Sequence, residues 1–97
     1  MTPHQIASAL AHYKSKFFYA STDAINAHRV HISATHTNTP FYVIDILDVL
    51  EDDAMIIDFK FCNQEGCIVS HTTETVANIE KVIQNVESDI RHSFGIY

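Results

Sequence analysis

Seven histidines and two cysteines, set among twelve carboxylates, are the residues of this chain whose types could do chemistry. Imidazoles serve as acid, base or metal ligand near neutral pH, and a thiol becomes a nucleophile when its surroundings favour the thiolate. Spacing rejects most metal arrangements. His28, His31 and His36 fall on an alternating stretch, where odd spacings point to opposite faces of a strand. The same-side pair His28 and His36 would stand about 26 Å apart at ~3.3 Å per residue. His4 and His12 share a helical stretch but are separated by about 12 Å of rise. Only a tertiary contact such as His31 with His71 could gather ligands, so neither a metal nor another cofactor is expected. Cys62 and Cys67 flank a turn without the Cys-x-x-Cys spacing, and only Lys60 is near enough to favour a thiolate. Two free structural thiols in a reducing compartment are expected. What remains is a polar set, Arg29, His31, Ser33, Asp45, Asp58, Lys60 and His71, with the ingredients of acid–base chemistry if a sheet brings it to one face.

The elements that must position this set can be read from the apolar pattern. Thr2, Pro3 and Gln5 write a capping box with proline at the first helical position, and Ile6, Leu10, Tyr13 and Phe17 then predict a helix ending near Phe18 or Tyr19. Ala20 to Ala27 reads as a connector. Arg29 to His36 alternates as a half-buried strand with Val30, Ile32 and Ala34 inward. Phe41 to Leu50 and Met55 to Cys62 form a hairpin closed by Glu51 to Ala54, and pairing Leu50 with Met55 collects Tyr42, Ile44, Ile46, Leu50, Met55, Ile57, Phe59 and Phe61 on one face. That register leaves Asp48 among the apolar residues and sets Asp45 opposite Lys60. Cys67 to Ser70 returns as a short strand that brings Asp58 near His71. Thr72 or Thr73 caps a last helix with a stripe of Val76, Ile79, Ile83, Val86, Ile90 and Phe94, ended by Gly95. The expected architecture is α+β over residues 1–97 as a single domain: an antiparallel meander of three or four strands flanked by an N-terminal and a C-terminal helix, both packed on the apolar sheet face. No apolar run approaches the ~20 residues of a membrane span and no leader pattern opens the chain, so a cytoplasmic location is expected.

The charge pattern is the most directional feature. Twelve Asp and Glu against six Lys and Arg give a formal charge of −6, which argues against contact with a nucleic-acid backbone and for a basic partner. Asp45, Asp48, Glu51, Asp52, Asp53, Asp58 and Glu65 place seven of the twelve carboxylates within twenty-one residues around one hairpin, offset there only by Lys60. Carboxylates two residues apart on one side of a strand stand about 6.6 Å apart, close to the repeat of charge along a polynucleotide. Phe41, Val43, Leu47, Val49 and Ile56, expected on the same face, would add apolar contact.

Two resemblances bear on these residues. His31-Ile32-Ser33 and His71-Thr72-Thr73 are similar to the paired His-x-Ser/Thr elements of two-histidine phosphodiesterases, which implies histidines as acid and base and hydroxyls on a phosphate. In size and character the whole chain resembles the small phage-encoded anti-CRISPR proteins that inhibit the type I-F surveillance complex, with the acidic stretch Asp45 to Asp53 as the nearest carrier. That resemblance implies a non-enzymatic DNA mimic in the bacterial host cell, monomeric when free, that competes for basic side chains on the Cas8f and Cas5f subunits. Asp45, Asp48, Glu51, Asp52, Asp53 and Asp58 would meet them, with Asp23 and Glu65 as outlying contacts. The alternatives are a toxin-neutralising immunity protein or a small secretion chaperone; a stable dimer with exposed apolar surface would favour the chaperone.

Overall fold

The computed structural model describes residues 2–95. Helix α1 (Pro3–His12) leads into five strands, β1 (Phe18–Thr22), β2 (Arg29–Ala34), β3 (Pro40–Val49), β4 (Met55–Cys62) and β5 (Ile68–Val76), and helix α2 (Ile79–Phe94) closes the chain. The strands form one antiparallel sheet in sequence order, β1 to β5. The architecture is α+β, as expected, with more strand than the apolar pattern predicted.

Both helices begin and end where local chemistry satisfies their free backbone groups. The Thr2 hydroxyl accepts from the Gln5 N–H at 3.2 Å while the Gln5 side chain accepts from the Thr2 N–H at 2.8 Å. Helix α1 stops at His12, however, and Tyr13 is already extended. Tyr13 and Phe17 continue the helical spacing only by coincidence: Tyr13 is the C-cap and Phe17 lies just before β1, packed against the core. Phe18 is buried in β1 and stacks on Tyr13 at 6.2 Å, while Tyr19 faces solvent. Helix α2 starts at Asn78, not at Thr72 or Thr73: the Asn78 side chain accepts from the Lys81 N–H at 3.0 Å. Val76 therefore ends β5. At the other end Gly95 takes the left-handed conformation at φ 66°, which a side chain would resist.

One core joins the two helices to the sheet. Ile6, Ala7 and Leu10 from α1 and Val82, Ile83, Val86 and Ile90 from α2 bury against Val30, Ile32, Ile44, Ile46, Ile57 and Phe59. Tyr42 lies in this core and donates its hydroxyl to the Asp89 carboxylate of α2. Burial and that carboxylate together push the phenol far above its ordinary pKa, so it stays a donor. Tyr42→Phe is expected to lower stability by about 1–2 kcal/mol, read as a lower urea midpoint at unchanged slope.

The register of the central hairpin differs from the expected one by two residues. Asp45 lies opposite Asp58, and Val43 opposite Lys60. A two-residue shift keeps every side chain on its face, which is why the predicted inward set is largely correct. Nearer the loop, Ile46 pairs with Ile57 and Asp48 with Ile56, leaving Leu47 as an inserted bulge residue. The bulge moves Asp48 off the apolar face and turns Val49 inward, and the connection lengthens to Leu50–Ala54, closed by the Leu50 N–H on the Ala54 carbonyl at 2.7 Å. A second irregularity, where Ser33 faces Pro40, lets Phe41 turn into the core. There its ring meets those of Tyr42, Phe61 and Phe94. Phe41 and Val49 therefore do not join the outer surface.

Candidate protein-binding site

The sheet face turned away from the helices carries the polar set identified above, with Arg29, Asp45, Lys60, Asp58 and His71 tied into one network and His31 paired separately with Asp23. Asp45 sits at its centre and is 7% exposed. It accepts from Arg29 Nε at 2.8 Å, from Arg29 Nη2 at 3.2 Å, and from Lys60 Nζ. Lys60 also donates to Asp58 at 2.8 Å, and His71 Nδ1 lies 3.2 Å from the other Asp58 oxygen. Two carboxylates directly opposite on neighbouring strands repel, and Lys60, diagonal to one and two residues from the other, neutralises both. At the β1–β2 connection Asp23 accepts from the Ile25 and Asn26 N–H groups at 3.0 and 2.8 Å and meets His31 Nε2 at 2.8 Å.

These contacts set the titration. Burial would raise the Asp45 carboxyl, but hydrogen bonds from Arg29 and Lys60 outweigh it and hold it below the usual carboxylate range. Burial likewise opposes, and the Lys60 and His71 bonds overcome, the shift at Asp58. His31 and the two backbone donors lower Asp23 to about 2. Unfolded carboxylates take up protons at about pH 4. Between that pH and the lower folded values the unfolded chain binds more protons, so the stability contributed by the network is complete above about pH 4 and lost as pH falls toward about 2. Thermal melts are expected to drop steeply as the pH falls below about 4.

The predicted acidic surface thus divides into three. Asp45 and Asp58 are paired with Arg29 and Lys60, Asp23 is hydrogen-bonded to His31 and two backbone N–H groups, and Asp45 is too enclosed to meet another molecule. Asp48, Glu51, Asp52 and Asp53 stay together at the exposed tip of the β3–β4 hairpin. There Asp48 and Asp52 accept only from the nearby Val49 and Ala54 N–H groups among the described hydrogen bonds. Leu47 and Leu50 stand beside them at 53% and 37% exposure. Glu65 belongs to the β4–β5 turn, at the opposite end of β4 and about 23 Å away at ~3.3 Å per residue.

The two His-x-Ser/Thr elements do not converge. His31 aligns with Val43, Val43 with Lys60 and Lys60 with His71, so two strands lie between the histidines, about 14 Å at ~4.8 Å per strand. An acid and a base serving one phosphate must both reach it by hydrogen bonds, whereas His31 and His71 are each turned to a separate carboxylate, Asp23 and Asp58. A shallow cavity of about 380 Å³ does open on this face between Arg29, His31, Ser33, Val43, Cys62 and Ile68. Its Arg29 and His31 side chains are already bonded to Asp45 and Asp23. Burial and the neighbouring Cys67 push the Cys62 thiol up, away from a reactive thiolate. Among the described residues no three His, Cys, Asp or Glu side chains gather to hold a metal ion, and no helix is long and apolar enough to cross a membrane.

Three features were missed from sequence: strand β1, which takes Ala20 to Thr22 out of the expected connector, the Arg29–Asp45 pair and the full length of β5. Arg29 lies at an outward position of an alternating strand, and Ile68 to Val76 is rich in β-branched residues, so the last two left a signal. Fold and site together define an acidic α+β protein with helices on one sheet face and a self-neutralised polar network on the other. Comparison of the chain with protein-family models, with curated proteins and with solved structures finds no match.

Proposed function

We propose that this protein is a non-enzymatic inhibitor that occupies a basic, DNA-binding groove of a nucleic-acid-handling complex, most concretely the Cas8f and Cas5f subunits of a type I-F CRISPR surveillance complex in a bacterial cytoplasm. The observation that carries this reading is the β3–β4 hairpin tip. Asp48, Glu51 and Asp52 are exposed there on one projection with Leu47 and Leu50 alongside, whereas the carboxylates of the sheet face are spent on Arg29, Lys60 and the histidines. Exposed carboxylates beside exposed apolar side chains combine electrostatic steering with desolvated contact area. Lys and Arg groups that normally hold phosphates would pair with the tip, and DNA would be excluded by competition. The test is anisotropy of a labelled target duplex on a purified, guide-loaded type I-F complex. Added protein should release the duplex at low salt, and full DNA binding at saturating protein would contradict the reading.

A further inference from the structure

Among the described residues β5 is an edge strand paired only with β4, and of its nine residues eight are exposed. Ser70, Thr72 and Glu74 lie on the helix side, opposite Phe61, Phe59 and Ile57, yet α2 does not roof them. The strand therefore has open space on both faces as well as a free edge of backbone N–H and C=O groups. Soluble proteins blunt such edges with proline, lysine, bulges or short length. From Ser70 to Val76 β5 has no proline, lysine or bulge, and its one irregularity lies before that run, at the Phe61/Cys62 step; its one protecting charge is Glu74, on the helix side opposite Ile57, which disfavours an acidic or identical strand and favours a basic one. The other edge strand, β1, has five residues, one of them buried under the Tyr13 ring.

Charge selects the occupant. Glu65 stands in the turn entering β5, Glu74 lies on the strand, and the Met55–Val76 pairing puts the acidic hairpin tip beside the strand's end. No Lys or Arg lies within β5, and Lys60 on β4 is committed to Asp45 and Asp58. Antiparallel pairing with a second copy would set the Glu65 turn of one chain against the acidic tip of the other. A strand carrying Lys or Arg meets a carboxylate at each end of β5, Glu65 at one and Glu74 with the tip at the other.

We propose that β5 is a docking edge to which an extended, Lys- or Arg-bearing segment of the protein partner adds as a sixth strand, its backbone completing the ladder and its basic side chains reaching Glu65, Glu74 and the tip. This rests on the basic-partner reading above and adds a backbone-mediated mode of capture to it.

The experiment follows the backbone amides of the full chain by NMR during titration with three ten-residue peptides: alternating Lys and Thr, the same peptide N-methylated at every residue so that neither edge can pair, and alternating Glu and Thr. The Lys–Thr peptide should shift the amides of Ser70 to Val76 and slow their hydrogen exchange, with the other two binding about tenfold or more weakly. Equal binding by the N-methylated peptide, shifts confined to the hairpin tip, or equal binding by the Glu–Thr peptide would overturn the proposal. So would protection of β5 amides that grows with protein concentration alone, since a second copy would then be the occupant. Thr72→Pro and Thr73→Pro complete the test, because neighbouring N–H groups point to opposite sides of a strand. Whichever variant keeps the folded spectrum should lose peptide binding, and retained binding there overturns the proposal. Peptide capture along β5 without any block of the surveillance complex would count against the proposed function alone. A blocked complex with silent β5 amides would count against the docking edge alone.

Discussion

Lys60→Met is expected to lower the unfolding free energy at pH 7 by about 2–4 kcal/mol and the melting temperature by roughly 10–25 °C. Lys60 is the shared cation of Asp45 and Asp58, which lie opposite each other with side chains only 10% and 14% exposed. At ~4 Å and an effective dielectric near 20 a unit charge pair is worth about 4 kcal/mol, and the variant loses two such attractions while keeping the repulsion. Arg29 still holds Asp45, which tempers the loss. The pH dependence separates this mechanism from simple loss of packing. With Lys60 gone, one carboxyl of the facing pair has its pKa raised, so the folded variant takes up a proton as pH falls. Its deficit against the natural protein should be largest near neutral pH and shrink toward about pH 4. Paired thermal melts check both parts. A deficit under about 0.5 kcal/mol at pH 7 would class the network as a solvated surface pair.

The second large effect concerns binding. Converting Asp48, Glu51 and Asp52 to Asn, Gln and Asn removes three charges from the hairpin tip without touching the core. Each lost pairing with a partner cation is worth about 1 kcal/mol, so affinity for the surveillance complex should fall roughly 100-fold, chiefly through slower association at low salt. Stability should stay within about 0.5 kcal/mol, because these side chains are exposed and their described bonds are to adjacent backbone. Stopped-flow association and urea unfolding on the same samples check the two halves. Loss of folding in place of loss of binding would mean that the tip is a structural turn.

Where local rules act alone, the chain could be read closely. The capping box at Thr2 and Gln5, the alternation of β2 and the glycine stop at Gly95 depend on neighbours a few residues away, and each is present as predicted. The extent of α1 and β5 was not legible, because Tyr13 and Phe17 extend a helical period by coincidence, and Thr72 and Thr73 suit a strand as well as a cap. The bulge at Leu47 could have been inferred. In the expected register Asp48 was the only charge among apolar residues, and an inserted residue is the cheapest way to turn it outward. The candidate site was half legible: clustering in sequence places the tip carboxylates together, but which carboxylates are neutralised depends on cross-strand neighbours. Arg29 and Asp45 are sixteen residues apart and meet only once the sheet exists.

The most direct measurement is the slope of log Kd against log salt for binding to the guide-loaded surveillance complex, compared between the natural protein and the Asp48/Glu51/Asp52 variant. A steep slope for the natural protein, flattened by roughly the number of charges removed, is the result predicted. Identical slopes for the two would contradict capture through the hairpin tip, whatever the affinities.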